Sequence, residues 1–202
     1  MNKNPQKGEY LEVLLRSPKT VFSTKDAALL WNESSKEVVS DRLKKYVNVG
    51  KLIRVRRGFY VKDKKYNHYE LATRIYTPSY VSFETVLGSS GVTFQYYGNI
   101  FVASYVRRDI EVNCQRISFL KMKEYVLSNT KGIVQIDGVS IATAERAMLD
   151  RVYVSKRYYF DNLRGIDWDK IFEILPIYHN KRMEKTVKEY FEKYTKNQKN
   201  NG

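Results

Sequence analysis

The chain has 202 residues, of which 43% are hydrophobic and 14% aromatic, so it is long enough for one or two domains with packed cores and is not a disordered chain. Its formal net charge of +14 at pH 7 favours a polyanionic partner. The single cysteine, Cys114, argues against a disulfide framework, and no long apolar run suggests a signal peptide or membrane span. We therefore expect a cytoplasmic protein.

The front of the chain predicts two short helices. Apolar and aromatic residues over 10–14 indicate the first helix, which Pro18 ends. Ser23 or Thr24 is suited to cap the second helix. The apolar positions of this second helix recur at helical spacing: Ala27, Ala28, Leu30 and Trp31.

A third helix follows after a turn over residues 32–35, which also supplies a new cap. Its apolar face carries Val39, Leu43, Tyr46 and Val47. Its remaining surface is polar and largely basic, with Lys36, Ser40, Arg42, Lys44 and Lys45. Gly50 can end the helix because glycine adopts the left-handed conformation without steric cost.

Residues 52–61 predict a basic β-hairpin, with a turn at Arg56, Arg57 and Gly58. Arg54 adds a third arginine to the same hairpin. The order of three helices and a basic two-stranded ribbon is typical of a winged helix-turn-helix, whose second helix of the pair enters the DNA major groove. We expect this domain to span residues 1–66.

The positive charge is concentrated in that domain. Residues 1–66 hold 16 Lys and Arg against 7 Asp and Glu, a net of +9, and residues 67–202 hold 20 against 15, a net of +5. Contacts between cationic side chains and phosphates release counterions, so binding should weaken steeply with added salt. The plainer alternative is a basic surface that serves only solubility.

Residues 67–202 predict a second, mixed α/β domain. Helices are expected over residues 68–76, before Pro78, and from Ser82 to Gly88 or Gly91. A β-rich region over 99–143 contains a two-residue hairpin signal at Asp137 and Gly138. A helix then begins at Thr143, and a terminal amphipathic helix is indicated by Met183, Val187, Tyr190, Phe191 and Tyr194. The overall fold class is therefore α+β.

Three segments resemble the AbiEi family of bacterial antitoxins and transcriptional regulators. They are residues 54–61 (RVRRGFYV), 72–92 (ATRIYTPSYVSFETVLGSSGV) and 141–153 (IATAERAMLDRVY). The third matches an arginine-alanine-hydrophobic-leucine-aspartate signature through residues 146–150, although Ala144 stands where the family usually has proline. Proline there would only preset the first helical turn, so this departure costs little.

The resemblance implies a repressor that binds inverted repeats upstream of its own operon through the N-terminal domain. It also implies that the later domain counteracts a nucleotidyltransferase-type toxin encoded beside it, as in type IV toxin-antitoxin systems, where the two proteins need not form a stable complex. The chain is shorter at its C-terminal end than many antitoxins of this kind. Toxin neutralisation therefore rests on the resemblance, whereas DNA binding is also indicated by the residues themselves.

The candidate DNA-binding residues lie on the predicted helix pair and hairpin. Lys36, Ser40 and Lys44 are predicted to lie opposite the apolar face and to contact bases or phosphates, the alternative being a solvated surface. Ser34 and Ser35 can cap the helix, contact phosphate, or do both. The complete predicted set is Thr24, Lys25, Ser34, Ser35, Lys36, Ser40, Lys44, Lys45, Arg54, Arg56 and Arg57.

In the second domain, Arg146 and Asp150 are spaced to pair with each other on one helix. Tyr80, Ser82 and Glu84 are interpreted as residues that cap and shape a helix start rather than as a functional turn. His68, His179 and Cys114 lack metal-ligand spacing, and no phosphate-binding glycine loop occurs. We therefore expect a non-enzymatic protein without a cofactor, metal site or catalytic residues.

The sequence favours a sequence-specific repressor of transcription on double-stranded DNA. One alternative is an interaction protein whose second domain binds a protein partner, while the basic first domain binds nucleic acid without specificity. RNA binding is a further alternative, although the 17 tyrosines are scattered rather than arranged as a stacking platform.

Overall fold

The computed structural model describes the backbone of residues 8–155 and 157–200, and the side chains of these residues up to 196. The fold is a mixed α+β fold, as expected from the sequence. It divides into two compact units between Arg74 and Ile75. The sequence prediction placed the boundary near residue 66, before the helix that the structure assigns to the first unit.

The first unit alternates short helices with a small sheet. Its elements in order are α1 (Glu9–Arg16), β1 (Val21–Ser23), α2 (Thr24–Trp31), α3 (Lys36–Asn48), β2 (Ile53–Arg56), β3 (Phe59–Val61) and α4 (His68–Ile75). The three strands form an antiparallel sheet in the order β1-β3-β2. The three helices and the hairpin predicted before residue 66 are therefore present.

Capping residues set where the second and third helices begin. Ser23 caps α2 through a capping box, in which its hydroxyl accepts from the Asp26 N–H and the Asp26 carboxylate accepts from the Ser23 N–H. The Ser35 hydroxyl accepts from the N–H of Val38 at the start of α3. Gly50, at φ +69°, follows the last residues of α3 in the left-handed conformation that was predicted.

The apolar faces of α1, α2 and α3 meet in one core. Burial of this much apolar surface is the main force that holds three short helices together, since helices of this length are marginal alone. Its buried members are Leu14, Phe22, Ala27, Trp31, Val39, Leu43, Leu52 and Tyr60.

Helix α4 is held in the first unit by bonds from two of its side chains, Glu70, which is buried, and Arg74, which is half-buried. The Glu70 carboxylate accepts hydrogen bonds from the N–H and the hydroxyl of Thr20, at 2.9 and 2.6 Å. Arg74 pairs with Asp26 of α2 at 2.9 Å. These bonds attach the helix to the residue before β1 and to α2, about fifty residues earlier in the chain. They explain why the unit extends past residue 66.

The second unit is built around a six-stranded mixed sheet. Its strands are β4 (Ser79–Val81), β5 (Ile100–Ser104), β6 (Arg108–Val112), β7 (Gln115–Lys121), β8 (Ile133–Ile136) and β9 (Val139–Ala142). Its helices are α5 (Phe83–Ser89), α6 (Glu124–Leu127), α7 (Ala144–Val154), α8 (Trp168–Ile174) and α9 (Lys181–Asn200), with a 3-10 helix at Leu175–Tyr178 between the last two.

The sheet order is β6-β7-β5-β4-β9-β8. The inner pairs β5–β7 and β4–β9 are parallel, and the pairs β4–β5, β6–β7 and β8–β9 are antiparallel. Helix α7 is buried from Glu145 to Asp150 and at Val152, and it packs with α5, α8 and α9. One continuous apolar core joins these helices to the sheet.

The helices predicted at residues 68–76, 82–91, 143–154 and in the terminal region are present, with small differences at their ends. Gly88 lies inside α5, and it is Gly91, at φ +68°, that follows the end of this helix. The Asp137–Gly138 turn is confirmed, since both residues have positive φ between β8 and β9. Strands β1 and β4 and helix α6 were not predicted.

Gly132 is required by both its conformation and its surroundings. It has φ +70°, and a Cβ built there would lie 2.8 Å from Arg146 Cβ and 2.8 Å from Ile174 Cδ1. Real Cβ atoms do not approach other atoms so closely. This glycine therefore lets the segment before β8 pass directly over helix α7.

Candidate nucleic-acid interface

Helix α3 carries most of the predicted DNA-binding residues, and its start is built by two serines. Ser35 is the N-cap, so its hydroxyl is occupied by the N–H of Val38, and it also contacts Glu37 at 3.1 Å. Ser34 is exposed. Hydrogen bonds from the Glu37 N–H and from the Ser35 hydroxyl hold the pKa of Glu37 below its ordinary value, so Glu37 is a carboxylate at neutral pH.

Three lysines of α3 reach solvent, namely Lys36, Lys44 and Lys45. Ser40 is half-buried. Successive helical residues are separated by about 100°, so Ser40 lies beside Val39 rather than opposite it. Lys36, Ser40 and Lys44 form a row along α3 that lies beside the apolar face. The prediction that they lie opposite that face was therefore wrong.

The outer surface of α3 also carries two acids, Glu37 and Asp41. Lys44 Nζ lies 3.2 Å from Asp41 Oδ1, with more than half of both side chains exposed. Exposed pairs of this kind are worth about 0–1 kcal/mol and are screened by salt. Lys44 can therefore exchange Asp41 for a stronger anionic partner at little cost.

Arg42 is a cation of α3 that faces inward. Its guanidinium carbon lies 3.6 Å from the Tyr10 ring centroid and 5.2 Å from that of Trp31. Contacts of a cation with aromatic faces are worth about 0.5–2 kcal/mol. Arg42 thus links α3 to α1 and α2 through these ring contacts. It is not part of the basic surface, although lysines surround it in the sequence.

The β2–β3 hairpin presents the predicted arginines at different exposures. Arg54 and Arg57 are exposed, whereas Arg56 is half-buried. A register shift between Arg54 and Arg56 marks a β-bulge in β2, which increases the local twist of the strand. The turn itself is Arg57 and Gly58, with Gly58 at φ +80°. Arg56 is the last residue of the strand rather than part of the turn.

The hairpin turn is attached to the first residue of α2. The Thr24 N–H donates to the Gly58 carbonyl at 3.1 Å, and Thr24 is half-buried. Lys25, the next residue, is exposed. At the other end of the hairpin, the N–H groups of Lys51 and Leu52 donate to the Tyr46 carbonyl, so β2 leaves α3 in a fixed direction.

Asp26, in the first turn of α2, pairs with two cations. Lys19 Nζ lies 2.6 Å from one of its oxygens and Arg74 Nη1 lies 2.9 Å from the other. Burial raises the pKa of this carboxyl, but hydrogen bonds from Lys19 and Ser23 and the charge of Arg74 outweigh burial and hold the pKa well below its ordinary value. Lys19 and Arg74 are therefore already paired inside the unit.

The predicted DNA-binding residues lie in two places in the first unit, one at the hairpin and the start of α2 and the other on α3. The structure joins Thr24 to the hairpin turn by a hydrogen bond, and it aligns Lys36, Ser40 and Lys44 along one row of α3. Among the predicted cations, Lys25, Lys36, Lys44, Lys45, Arg54 and Arg57 are exposed. The partly covered members of the predicted set are Thr24, Ser35, Ser40 and Arg56.

The second unit holds a buried charged network that the sequence indicated only in part. Arg146 and Asp150 pair at 3.3 Å, as predicted, with both side chains completely buried. Asp150 also accepts from Tyr80, Ser82 and Tyr178, at 3.1, 2.7 and 2.6 Å. Ser82 is the N-cap residue of α5, as predicted, but its hydroxyl makes this bond to Asp150 rather than a cap bond.

The other side of the Arg146 guanidinium is also filled. It donates to the carbonyls of Val126 and Lys131, at 2.7 and 2.8 Å, and to the Tyr80 hydroxyl at 2.9 Å. Burial raises the pKa of Asp150, while Arg146 and the three hydroxyl donors oppose that rise. The network joins β4, α6 and α7 through these buried bonds. Glu84, the third residue of the predicted turn, lies 2.9 Å from Arg151.

No part of the described chain offers a metal site or a membrane span. Three or more His, Cys, Asp or Glu side chains are nowhere grouped within the described residues so that they could hold an ion. His68 packs on Tyr66 and His179 on Tyr125, and Cys114 is exposed in the β6–β7 turn. None of the helices in the described ranges has the length and apolarity needed to cross a bilayer.

No family model matches this chain, and no curated protein matches its sequence.

Proposed function

We propose that the protein is a sequence-specific DNA-binding repressor of transcription and that its first unit is a winged helix-turn-helix. The order α1-β1-α2-α3-β2-β3, with the three strands in one antiparallel sheet, supports this interpretation. In that arrangement α2 and α3 are the helix pair and the β2–β3 hairpin is the wing. The protein acts without catalysis and in the cytoplasm.

One observation carries the proposal. Lys36, Lys44 and Lys45 are exposed on α3, and the hairpin that follows directly exposes Arg54 and Arg57. The unit that holds them, residues 1–74, has 17 Lys and Arg against 8 Asp and Glu, a net of +9. A helix and a hairpin with this positive charge are suited to bind in a groove of DNA and to contact the phosphates beside it.

The proposed roles differ between the two elements. Lys36, Ser40 and Lys44 form the row of α3 that contacts bases and adjacent phosphates in the major groove. Ser34, exposed at the start of α3, brings its hydroxyl to a phosphate, and Ser35 caps the helix beside it. Arg54, Arg56 and Arg57 of the hairpin contact the backbone or the adjacent minor groove, and Thr24, Lys25 and Lys45 contact the backbone.

A gel-shift assay on the DNA upstream of the gene tests the DNA-binding role. Arg56→Ala with Arg57→Ala should weaken binding by at least about tenfold and should reduce the slope of log affinity against log salt by roughly 0.9 for each phosphate that the variant no longer neutralises. The matched control is Lys185→Ala with Lys188→Ala, which removes the same charge from exposed positions of α9. Equal binding by the two variants would refute the assignment of the hairpin.

The antitoxin role is proposed from the resemblance to the AbiEi family. It makes the second unit the part that counteracts a nucleotidyltransferase-type toxin, functionally or by direct contact, and it makes the repressed operon the protein's own, bound at inverted repeats. The test is to express the product of the neighbouring reading frame with and without this chain. Growth arrest that co-expression of the full chain does not relieve would refute this role, while leaving the DNA-binding role to the gel-shift result.

A second candidate function is supported by exposed aromatic side chains of the second unit. Phe94, Tyr96 and Tyr159 are 70%, 91% and 79% exposed, and large exposed aromatics often mark sites of protein contact. Under this alternative the second unit binds a protein partner, and the first unit binds nucleic acid without specificity. Equal competition by specific and scrambled duplexes would favour this candidate, and a preference for single-stranded RNA over duplex DNA would favour RNA binding over both.

A further inference from the structure

The two edges of the six-stranded sheet are built differently. Strand β6 forms one edge and exposes three charged side chains, Arg108, Asp109 and Glu111. Strand β8 forms the other edge with the sequence Ile133-Val134-Gln135-Ile136, which contains neither charge nor proline. Charges and prolines are the usual means by which an edge strand avoids pairing with another strand. Edge β6 is protected in this way, and edge β8 is not.

The hairpin register shows which main-chain groups of β8 face away from the sheet. Asp137 and Gly138 both have positive φ, as in a two-residue type I′ turn, so Ile136 and Val139 form the closing hydrogen-bonded pair. Hydrogen-bonding direction alternates along an antiparallel strand. The main-chain groups of Ile133 and Gln135 therefore point outward, although the N–H of Ile133 already donates to Thr130.

The side chains of β8 add an apolar surface to this edge. Val134 and Ile136 are two residues apart and so stand on the same face of the strand, where they are 42% and 52% exposed. The residues at the two ends of the strand have opposite charges. Lys131 precedes it and Asp137 follows it, both with exposed side chains. Lys131 approaches Glu173 only at 3.5 Å on the surface.

We propose that β8 pairs antiparallel with β8 of a second copy of this chain, with Val134 facing Val134 across a two-fold axis. In this register Ile133 of each copy faces Gln135 of the other, so the Gln135 N–H of each copy donates to the Ile133 carbonyl of the other. Antiparallel pairing also brings the Lys131 end of each strand to the Asp137 end of the other. The four side chains of Val134 and Ile136 then form one apolar strip on a single face.

The charge pattern is what selects a second copy as the occupant. A strand with a cation at its beginning and an acid at its end is complementary to itself when the pair is antiparallel. A two-fold axis places Lys131 of each copy beside Asp137 of the other, so a second copy supplies both opposite charges. The inference is independent of the proposed DNA-binding function, because it rests on the second unit alone.

Disulfide cross-linking tests the pairing and its register. In a Cys114→Ser background, Val134→Cys places two cysteines at a non-hydrogen-bonded pair, whose Cα atoms are about 4.5 Å apart and within range of a disulfide. Ile136→Cys is the matched control, because it faces Gly132 of the second copy and lies about 13 Å from its own counterpart. Mild oxidation should cross-link the first variant to a covalent dimer and leave the second unlinked.

Solution mass tests the same proposal without cysteines. The wild-type chain should approach twice its mass of 23.8 kDa as its concentration rises. Gln135→Pro removes an outward N–H from each copy and should raise the dimer dissociation constant about tenfold or more. Gln135→Ala retains the N–H and removes only the side-chain bond to Ser140, so it should dimerise as the wild type does.

Three results would each overturn the proposal. They are a monomer at every concentration with no Val134→Cys cross-link, equal cross-linking of the Val134→Cys and Ile136→Cys variants, and a Gln135→Pro variant that dimerises as tightly as the Gln135→Ala variant.

Discussion

The Thr24 N–H donates to the Gly58 carbonyl at 3.1 Å, and this bond attaches the turn of the β2–β3 hairpin to the first residue of α2. The hairpin is also held by its pairing with β1, by its connection to α3 and by Tyr60, which lies in the core of the first unit. A fixed hairpin matters for the proposed function, because a preorganised arginine hairpin loses less conformational freedom on binding than a mobile one.

Thr24→Pro should release the hairpin turn without disturbing α2. Proline is well accommodated at the first position of a helix, and Ser23 before it already has an extended backbone conformation. The substitution therefore removes one donor and should cost about 1 kcal/mol. Hydrogen exchange should speed up over residues 54–60, and affinity for the upstream DNA should fall. Thr24→Ala keeps the N–H and should leave hydrogen exchange over residues 54–60 unchanged; exchange as fast as in Thr24→Pro would contradict the role of the bond.

Acid should destabilise the first unit partly through Asp26. The pKa of Asp26 is lower in the folded chain than in the unfolded chain. The stability that its carboxylate contributes is therefore fully present above the unfolded pKa of about 4 and is lost as the pH falls further. Asp26→Asn should lower stability at neutral pH and flatten its dependence between about pH 5 and pH 3. Urea unfolding followed by Trp31 fluorescence in a Trp168→Phe background reports this unit. A variant with the same acid sensitivity as the wild type would contradict the prediction.

Asp150→Ala should destabilise the second unit by about 3–5 kcal/mol, because it leaves the buried Arg146 guanidinium without its carboxylate. Glu173→Ala removes an exposed partner of Lys131 in the same unit and should cost less than about 0.5 kcal/mol. Urea unfolding followed by Trp168 fluorescence in a Trp31→Phe background measures both. Similar costs for the two variants would mean that the buried network contributes little.

Substituting alanine at two glycines of the second unit should have opposite effects. Gly132→Ala should cost at least about 2 kcal/mol, since it combines a positive φ with 2.8 Å approaches to Arg146 and Ile174. Gly88→Ala lies within α5 with no atom near the added Cβ, and it should stabilise the unit by up to about 1 kcal/mol. Thermal unfolding ranks the two. A Gly132→Ala variant as stable as the wild type would show that the crowding is relieved easily.

The helices could be predicted from the sequence because their signals are local. Ser23, Ser35 and Gly50 act within one turn of the helix ends that they define, and the apolar spacing of α3 needs no knowledge of its neighbours. Strands β1 and β4 have three residues each, which is too short to show a period of two. Their positions depend on partners far along the chain, such as β3 for β1.

The candidate interface could be predicted as a set of residues but not as a surface. Exposure of Lys44 and Arg57 follows from their type and spacing, whereas the inward position of Arg42 depends on Tyr10, thirty-two residues earlier in the sequence and on another helix. The Arg146–Asp150 pair was visible as an i, i+4 spacing. Its burial was not, since Tyr80 joins it from a strand seventy residues away.

Competition between two duplexes tests the central claim most directly. The wild-type chain is titrated into labelled DNA from upstream of its gene at about 0.15 M salt, against unlabelled duplexes of that sequence and of a scrambled sequence with the same composition. The account predicts that the upstream duplex competes at least about a thousandfold better than the scrambled one. Equal competition by the two duplexes would contradict it.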